Sequence, residues 1–330
     1  MEDLKKRYEC EKFTQLNLSS KSLTVIPIEV CSMITLTSLY LYDNKLDAVQ
    51  DVVVRNLTNL TTLQLSKNNI SALPKSFKKL TKLRELYLSG NEISVINDSF
   101  SNLTKLERLS LTHNKLTNLP VSMKKFVNLT HLILDYNMLC SIPTAIFSMD
   151  KLTELDLSSN SITEIPDTVS KLVNLVYLNL SNNRIKIVPD SIGHLKDLEV
   201  LNLSNNSICE LPDSIANLKK LSILELKRNI LTTLPSTFSN MTSLRNCDLY
   251  NNKITYLPLE IKKNVKIMQT DMSTYDFDNL KPNTEILVFK YFKKEFALDN
   301  LPYELKELWI SYQTGLPEIK LPFGCDLHRW

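Results

Sequence analysis

Glycine is nearly missing: four residues in 330, Gly90, Gly193, Gly315 and Gly324, no two of them close together. Neither a GxGxxG dinucleotide turn nor a GxxxxGK[ST] phosphate loop can be written with them, which excludes nucleotide enzymes built on those loops. No stretch reaches the about 18 consecutive apolar residues that a spanning helix requires, so no membrane span is expected. The first residues, MEDLKKRYECEKF, are charged throughout and lack the apolar core of a secretory signal, so a cytoplasmic location is expected. Six cysteines, at 10, 31, 140, 209, 247 and 325, show neither CxxC nor paired spacing and read as reduced structural thiols. In such a chain the eleven N-x-[ST] sequons are accidents of a composition rich in Asn, Ser and Thr.

Chemistry-bearing constellations are equally scarce. The four histidines, 113, 131, 194 and 328, are too dispersed to suggest a metal site, and no serine stands in a GxSxG context. Paired carboxylates such as Asp135 and Asp156 are expected on any repeated polar face. The expectation is therefore a protein that is not an enzyme and takes no cofactor and no metal. A net charge of +3 is too small to imply a polyanionic partner. Lysine pairs at 78/79, 124/125 and 262/263 recur in one register without interleaved aromatics, so they read as a solvated convex side and no nucleic-acid binding is expected.

What the chain has in excess is leucine, 58 residues, and asparagine, 31. They are organised: LxxLxLxxNx[LI] begins at Leu36, Leu60, Leu83, Leu106, Leu129, Leu152, Leu175, Leu198, Leu221 and Leu244, with one interval of 24 residues and eight of 23. An imperfect first copy starts at Phe13, with Lys21 in the asparagine position. After Leu244 the register degrades: Val265 or Ile267 opens the next unit, and Thr284-Leu287-Phe289 and Leu305-Leu308-Ile310 look like shorter units. In LxxLxL, Leu152, Leu155 and Leu157 point inward from a short strand while Thr153, Glu154 and Asp156 face out. One strand per unit, each followed by a return segment, stacks only as a parallel sheet. Prolines at 27, 74, 120, 143, 166, 189, 212, 235 and 258 open the return segments, where a fixed φ suits a turn or short helix. Asparagines 44, 68, 91, 114, 137, 160, 183, 206, 229 and 252 stand where the chain leaves the strand. An amide both donates and accepts, so ten equivalent positions predict a buried structural ladder rather than a binding site.

The pattern resembles the leucine-rich repeat family over residues 13–258. The half-unit Leu211-Pro212-Asp213-Ser214-Ile215, like Leu73-Pro74-Lys75-Ser76-Phe77, is similar to the intracellular 23-residue subclass of Ras-suppressor and Scribble-type scaffolds. The tail LPYELKELWISYQTGLPEIKLP is instead similar to the short repeats of bacterial effector proteins. The resemblance implies an α/β leucine-rich repeat solenoid, a curved horseshoe with a concave parallel β-sheet and short helical or irregular convex segments. It divides as an N-terminal cap over 1–12, about eleven repeats over 13–258, and degenerate short repeats with a C-terminal cap over 259–330. It further implies a signalling scaffold whose partner is a small GTPase or a phosphatase, although no [RK][VI]x[FW] phosphatase-docking motif occurs. The alternative is the recognition part of a larger enzyme, an LRR-containing phosphatase or ubiquitin ligase.

The outward strand positions are the expected protein-binding surface. From Leu36 onward they carry nine acidic and six basic residues, −3 on a chain of +3. Tyr40, Tyr42 and Tyr87 fall near the N-terminal end; His131, Asp135, Tyr136, Glu154, Asp156 and Tyr177 in the centre; Glu225, Lys227, Arg228, Arg245, Asp248 and Tyr250 toward the other end. Tyrosines beside fixed charges match interface anchors. Large apolar side chains between Leu301 and Trp330 add a homo-oligomeric contact through that end as a further expectation.

Overall fold

An LxxLxL segment sends alternate side chains to opposite faces, and its leucines leave water only by sharing one side. The computed structural model realises this repeat after repeat. It describes residues 12–254, the strands at 267–270, 286–290 and 307–311, and residues 321–329. The stretch read as the N-terminal cap, except Lys12, and much of 259–330 lie outside the described residues. The chain divides into two compact units, Met1–Ile162 and Thr163–Trp330.

In the first unit the strands are β1 (Gln15–Asn17), β2 (Ser38–Tyr40), β3 (Thr62–Gln64), β4 (Glu85–Tyr87), β5 (Arg108–Ser110), β6 (His131–Ile133) and β7 (Glu154–Asp156). They pair in parallel in chain order, each central leucine opposite its equivalent, as Leu63 opposite Leu86 and Leu86 opposite Leu109. The second unit repeats the arrangement with β8 (Tyr177–Asn179), β9 (Val200–Asn202), β10 (Ile223–Glu225) and β11 (Asn246–Asp248). Four further parallel strands follow it: β12 (Ile267–Thr270), β13 (Ile286–Lys290), β14 (Glu307–Ser311) and β15 (Asp326–Arg329). Of these, β13 and β14 contain the apolar triplets around Leu287 and Leu308, and Leu308 is fully buried.

The return segments are 3-10 turns. Pro74, Pro120 and Pro143 sit at the residue before each turn with φ of −70, −66 and −59°, and the i→i+3 bond closes at once, Phe77 N–H donating to the Pro74 carbonyl at 3.1 Å. A 3-10 turn brings one side chain in every three under the sheet. Phe77, Phe100, Met123 and Ile146 fill that place in the first unit, and the rings of Phe77 and Phe100 stack at 5.4 Å. Two repeats lack the proline. The 24-residue repeat has Gln50 there, and its extra residue is taken up by one α-helical turn, Asp51–Val54, closed by Arg55 N–H to the Asp51 carbonyl at 3.0 Å. The other has Asn97, whose Oδ1 accepts from Ser99 N–H at 3.1 Å.

The predicted asparagine ladder is present in both units. Asn114 Oδ1 accepts from Ile93 N–H at 3.0 Å while its Nδ2 donates to the carbonyls of Leu88 and Leu111, each at 3.0 Å. Asn91 and Asn137 do the same one repeat to either side, as do Asn206 and Asn229 in the second unit. The residue before each ladder asparagine is left-handed: Asp43, Lys67, Gly90, His113, Tyr136 and Ser159 have φ between 51 and 65°. That single reversal turns the chain off the strand and aims the amide inward.

Candidate functional strand face

On the first unit the register sets outward side chains in rows across the strands. One row runs Glu85, Arg108, His131, Glu154, and the next Tyr40, Gln64, Tyr87, Ser110, Ile133, Asp156. Tyr40 and Tyr87 therefore share a row two strand spacings apart, about 10 Å. In the charged row Arg108 Nε lies 4.0 Å from Glu85 Oε1, and His131 Nε2 lies 3.5 Å from Glu154 Oε2. His131 Nδ1 is 2.8 Å from the Thr130 hydroxyl. Burial, and then the Arg108 charge, hold His131 below the ordinary histidine range, with Glu154 opposing. Burial also pushes the Tyr87 phenol up, helped by Glu85. Tyr87, Arg108, Ser110, His131, Ile133 and Glu154 surround a depression of about 130 Å³.

A second row lies at the strand exits. Lys67 Nζ stands 5.2 Å from the Tyr42 ring centroid, and the rings of His113 and Tyr136 stack at 4.0 Å, only 13° from parallel. Asp135 accepts from the Thr112 hydroxyl at 2.6 Å. Burial raises its carboxyl above the ordinary range, and the charge of Asp156 adds to this. Of the three tyrosines of the N-terminal zone, Tyr40 and Tyr87 stand in the strand row and Tyr42 in the exit row.

In the second unit Tyr177 stands on β8 opposite Val200. Glu225 is half-buried on β10 between Asn202 and Asp248, and burial, then Asp248, raise its carboxyl. Arg228 is exposed in the left-handed exit position, with Nη1 3.5 Å from Asn205 Oδ1; Lys227 and Tyr250 are half-buried beside it. Asp248 corrects the sequence expectation: it is buried, not displayed. The next strand pairs along it, with Gln269 opposite, and its Oδ1 accepts from Tyr250 N–H at 3.0 Å.

That bond recurs. Asn17, Gln64, Asp156, Asn179 and Asn202 each accept from the backbone N–H two residues on, between 2.8 and 3.1 Å. The outward polar side chain at the strand end therefore helps to build the exit turn. Asp156 also accepts from the Ser158 hydroxyl at 2.6 Å, so part of its hydrogen-bonding capacity is used within its own repeat. Sequence reasoning counted Arg108 among the outward charges without naming it in a zone, and passed over His113 and Thr112. Their signal was the 23-residue interval itself, which makes residues 85, 108, 131 and 154 neighbours.

A parallel strand, a 3-10 return and an amide ladder in every unit define a repeat solenoid. Family models for leucine-rich repeats match residues 34–93 and 128–185, 81–122 and 167–269. The chain belongs to the leucine-rich repeat family. It is 30% identical to a solved LRR protein of Leptospira interrogans, over 80% of this chain and 79% of that one, with a TM-score of 0.60. The Arabidopsis receptor kinase HAESA, solved with the peptide hormone IDA and the co-receptor SERK1, is 25% identical over 97% of this chain and 63% of its own, TM-score 0.66. Among curated proteins, mouse leucine-rich repeat and calponin homology domain-containing protein 1 is 41% identical over 58 residues; the match spans 18% of this chain and 8% of the mouse protein. No helix among the described residues is long and apolar enough to cross a membrane.

Proposed function

We propose that this chain is a non-catalytic module that holds a protein partner against its strand face, as an adaptor in cytoplasmic signalling. The observation that carries this reading is the fixed row Glu85, Arg108, His131 and Glu154 beside Tyr87, an exposed guanidinium among half-buried aromatic and charged groups on rigid backbone. A depression of about 130 Å³ is well below the roughly 300–1,000 Å³ of small-molecule sites, which favours one protruding side chain of a protein over a cofactor. The peptide hormone held by the HAESA structure supports a polypeptide ligand. Family resemblance points to a small GTPase or phosphatase as partner class. A second reading, which rests on the family resemblance alone, is the recognition part of a larger enzyme. Affinity capture with the intact chain and with a Tyr87→Ala, His131→Ala, Glu154→Gln variant tests the site. Partners should disappear from the variant while its melting stays unchanged; the same partners on both proteins would move the site elsewhere.

A further inference from the structure

The lysine pairs 78/79 and 124/125 lie where a 3-10 turn ends and hands the chain to the next strand. In the first unit this edge is built by five consecutive repeats, residues 55–59, 78–82, 101–105, 124–128 and 147–151. Arg55, Lys82, Lys105 and Lys151 join the two pairs there, and Asp150 is the single carboxylate, leaving a surplus of seven positive charges. All eight cations are exposed. Among the described residues none is within ion-pair distance of a carboxylate. The two ammonium groups that are held, Lys82 and Lys151, rest on neutral amides, Asn59 Oδ1 at 2.6 Å and Asn128 Oδ1 at 2.8 Å. Strand spacing puts the surplus on a ribbon about 20 Å long. Among the described residues of the second unit, the four equivalent segments 170–174, 193–197, 216–220 and 239–243 carry four lysines, and one, Lys220, is paired with Asp197 at 2.6 Å.

Like charges so close repel one another, and solubility is served as well by mixed signs, so the ribbon calls for an anionic counterpart. Its composition selects among them. Seven of the eight cations are lysines, compact point charges without the fork that reads a base edge or a single phosphate. The aromatics of the five segments, Phe126 and Phe147, are buried, which leaves no platform for stacking bases. The exposed neutral side chains between the cations are short and polar, among them Thr58, Thr81, Asn102 and Thr104, with one aliphatic, Val127 at 49%, and Ile34 at 56% on the adjoining repeat. A ridge of ammonium groups without carboxylate partners, with Val127 as an aliphatic tip among them, matches a plane of anionic headgroups. We infer that this edge of the first unit docks on the surface of anionic bilayers, without insertion of a span.

Vesicles of phosphatidylcholine alone, and of phosphatidylcholine and phosphatidylserine in equal parts, test this by co-sedimentation with the full chain. The protein should pellet with the anionic vesicles only, and less as salt rises. Each lysine at such a surface is worth about fivefold in partitioning, so Lys78→Gln, Lys79→Gln, Lys124→Gln and Lys125→Gln together should lower it at least about thirtyfold. The same loss of charge beside the strand exits, at Lys21, Lys45, Lys115 and Lys253, should change it by only a few fold. Val127→Ser should weaken vesicle binding yet leave binding to polyglutamate unchanged. No pelleting at low salt, or equal losses in the two quadruple variants, overturns the inference. Binding to polyglutamate but not to vesicles overturns it in favour of an acidic polypeptide.

Discussion

Removing one rung of the amide ladder tests the account of the fold most directly. In Asn114→Ala the buried Ile93 N–H loses its acceptor, which lay 3.0 Å away. The carbonyls that Asn114 served lose less: Leu88 keeps Asn91 Nδ2 at 2.9 Å, Leu111 keeps Asn137 Nδ2 at 2.9 Å, and Thr112, which Asn114 reached at only 3.3 Å, keeps Gly90 N–H at 2.8 Å. An orphaned buried donor costs about 1–3 kcal/mol and each weakened carbonyl about 0.5 kcal/mol, so the variant should be about 3 kcal/mol less stable. With a slope of roughly 3 kcal/mol per M for a chain of this size, the urea midpoint should fall by about 1 M. Asn114→Asp separates hydrogen bonding from mere filling of space. The carboxylate has the same shape and still accepts from Ile93, but it turns lone pairs toward Leu88 and Leu111 and carries a charge into a site only 7% exposed. It should melt no higher than the alanine variant at neutral pH. A wild-type urea midpoint for Asn114→Asp would refute donation by the amide as the source of the ladder's stability.

The left-handed residue before each rung gives opposite predictions at two positions. Gly90 has φ 65° and a Cβ there would meet nothing closer than 3.6 Å, so Gly90→Ala should cost about 1 kcal/mol from the backbone alone, whereas Ser159→Gly should gain about 0.5–1 kcal/mol, both read by urea unfolding. Asp135 has its folded pKa raised above the ordinary 3.8 by burial and Asp156, so its contribution is full below that value and is lost as pH rises through the folded pKa. Asp135→Asn should therefore be more stable than wild type at neutral pH and lose that advantage in acid. His131 has its folded pKa lowered below 6.5 by burial and Arg108, so its contribution is present above 6.5 and is lost as pH falls through the folded pKa; His131→Gln should flatten that limb of the stability profile, and an unchanged profile would contradict the burial.

The leucine and asparagine positions were legible because each has one physical solution. A leucine repeated at the same place every 23 residues must be inside, and an amide repeated there must bond backbone on both sides. The returns were less legible, since 3-10 and α-helical turns differ by a single residue of contour, and only the 24-residue repeat is long enough for α at Asp51–Val54. The left-handed exit was hidden for another reason. Gly90, Asp43, Asn182, Asn205 and Asn251 are of residue types that favour it, but Lys67, His113, Tyr136 and Arg228 accept the same backbone because the ladder bonds around them over-determine it. Strand β15 carries one leucine, Leu327, and no asparagine, so no periodicity marked it.

The candidate site was half legible for a related reason. Alternation along one strand says that Glu154 and Asp156 face out, but it cannot say what stands beside them. That depends on register, and the register places His131 beside Glu154, Arg108 beside His131 and Asp156 beside Ile133. The central zone with Asp135, Glu154 and Asp156 is therefore bordered by the Arg108 guanidinium on the sheet. Position within the exit turn matters as much. Asp135 and Asp156 have the same charge and both face outward, yet Asp156 bonds Ser158 within its own repeat at 2.8 Å, while Asp135 bonds Thr112 of the preceding repeat at 2.6 Å. Losing the first bond loosens one turn, whereas losing the second uncouples two repeats. A partner that competes for Asp135 thus acts on the coupling between repeats. Binding and rigidity of this face are linked through side chains that sequence alone assigns only to binding.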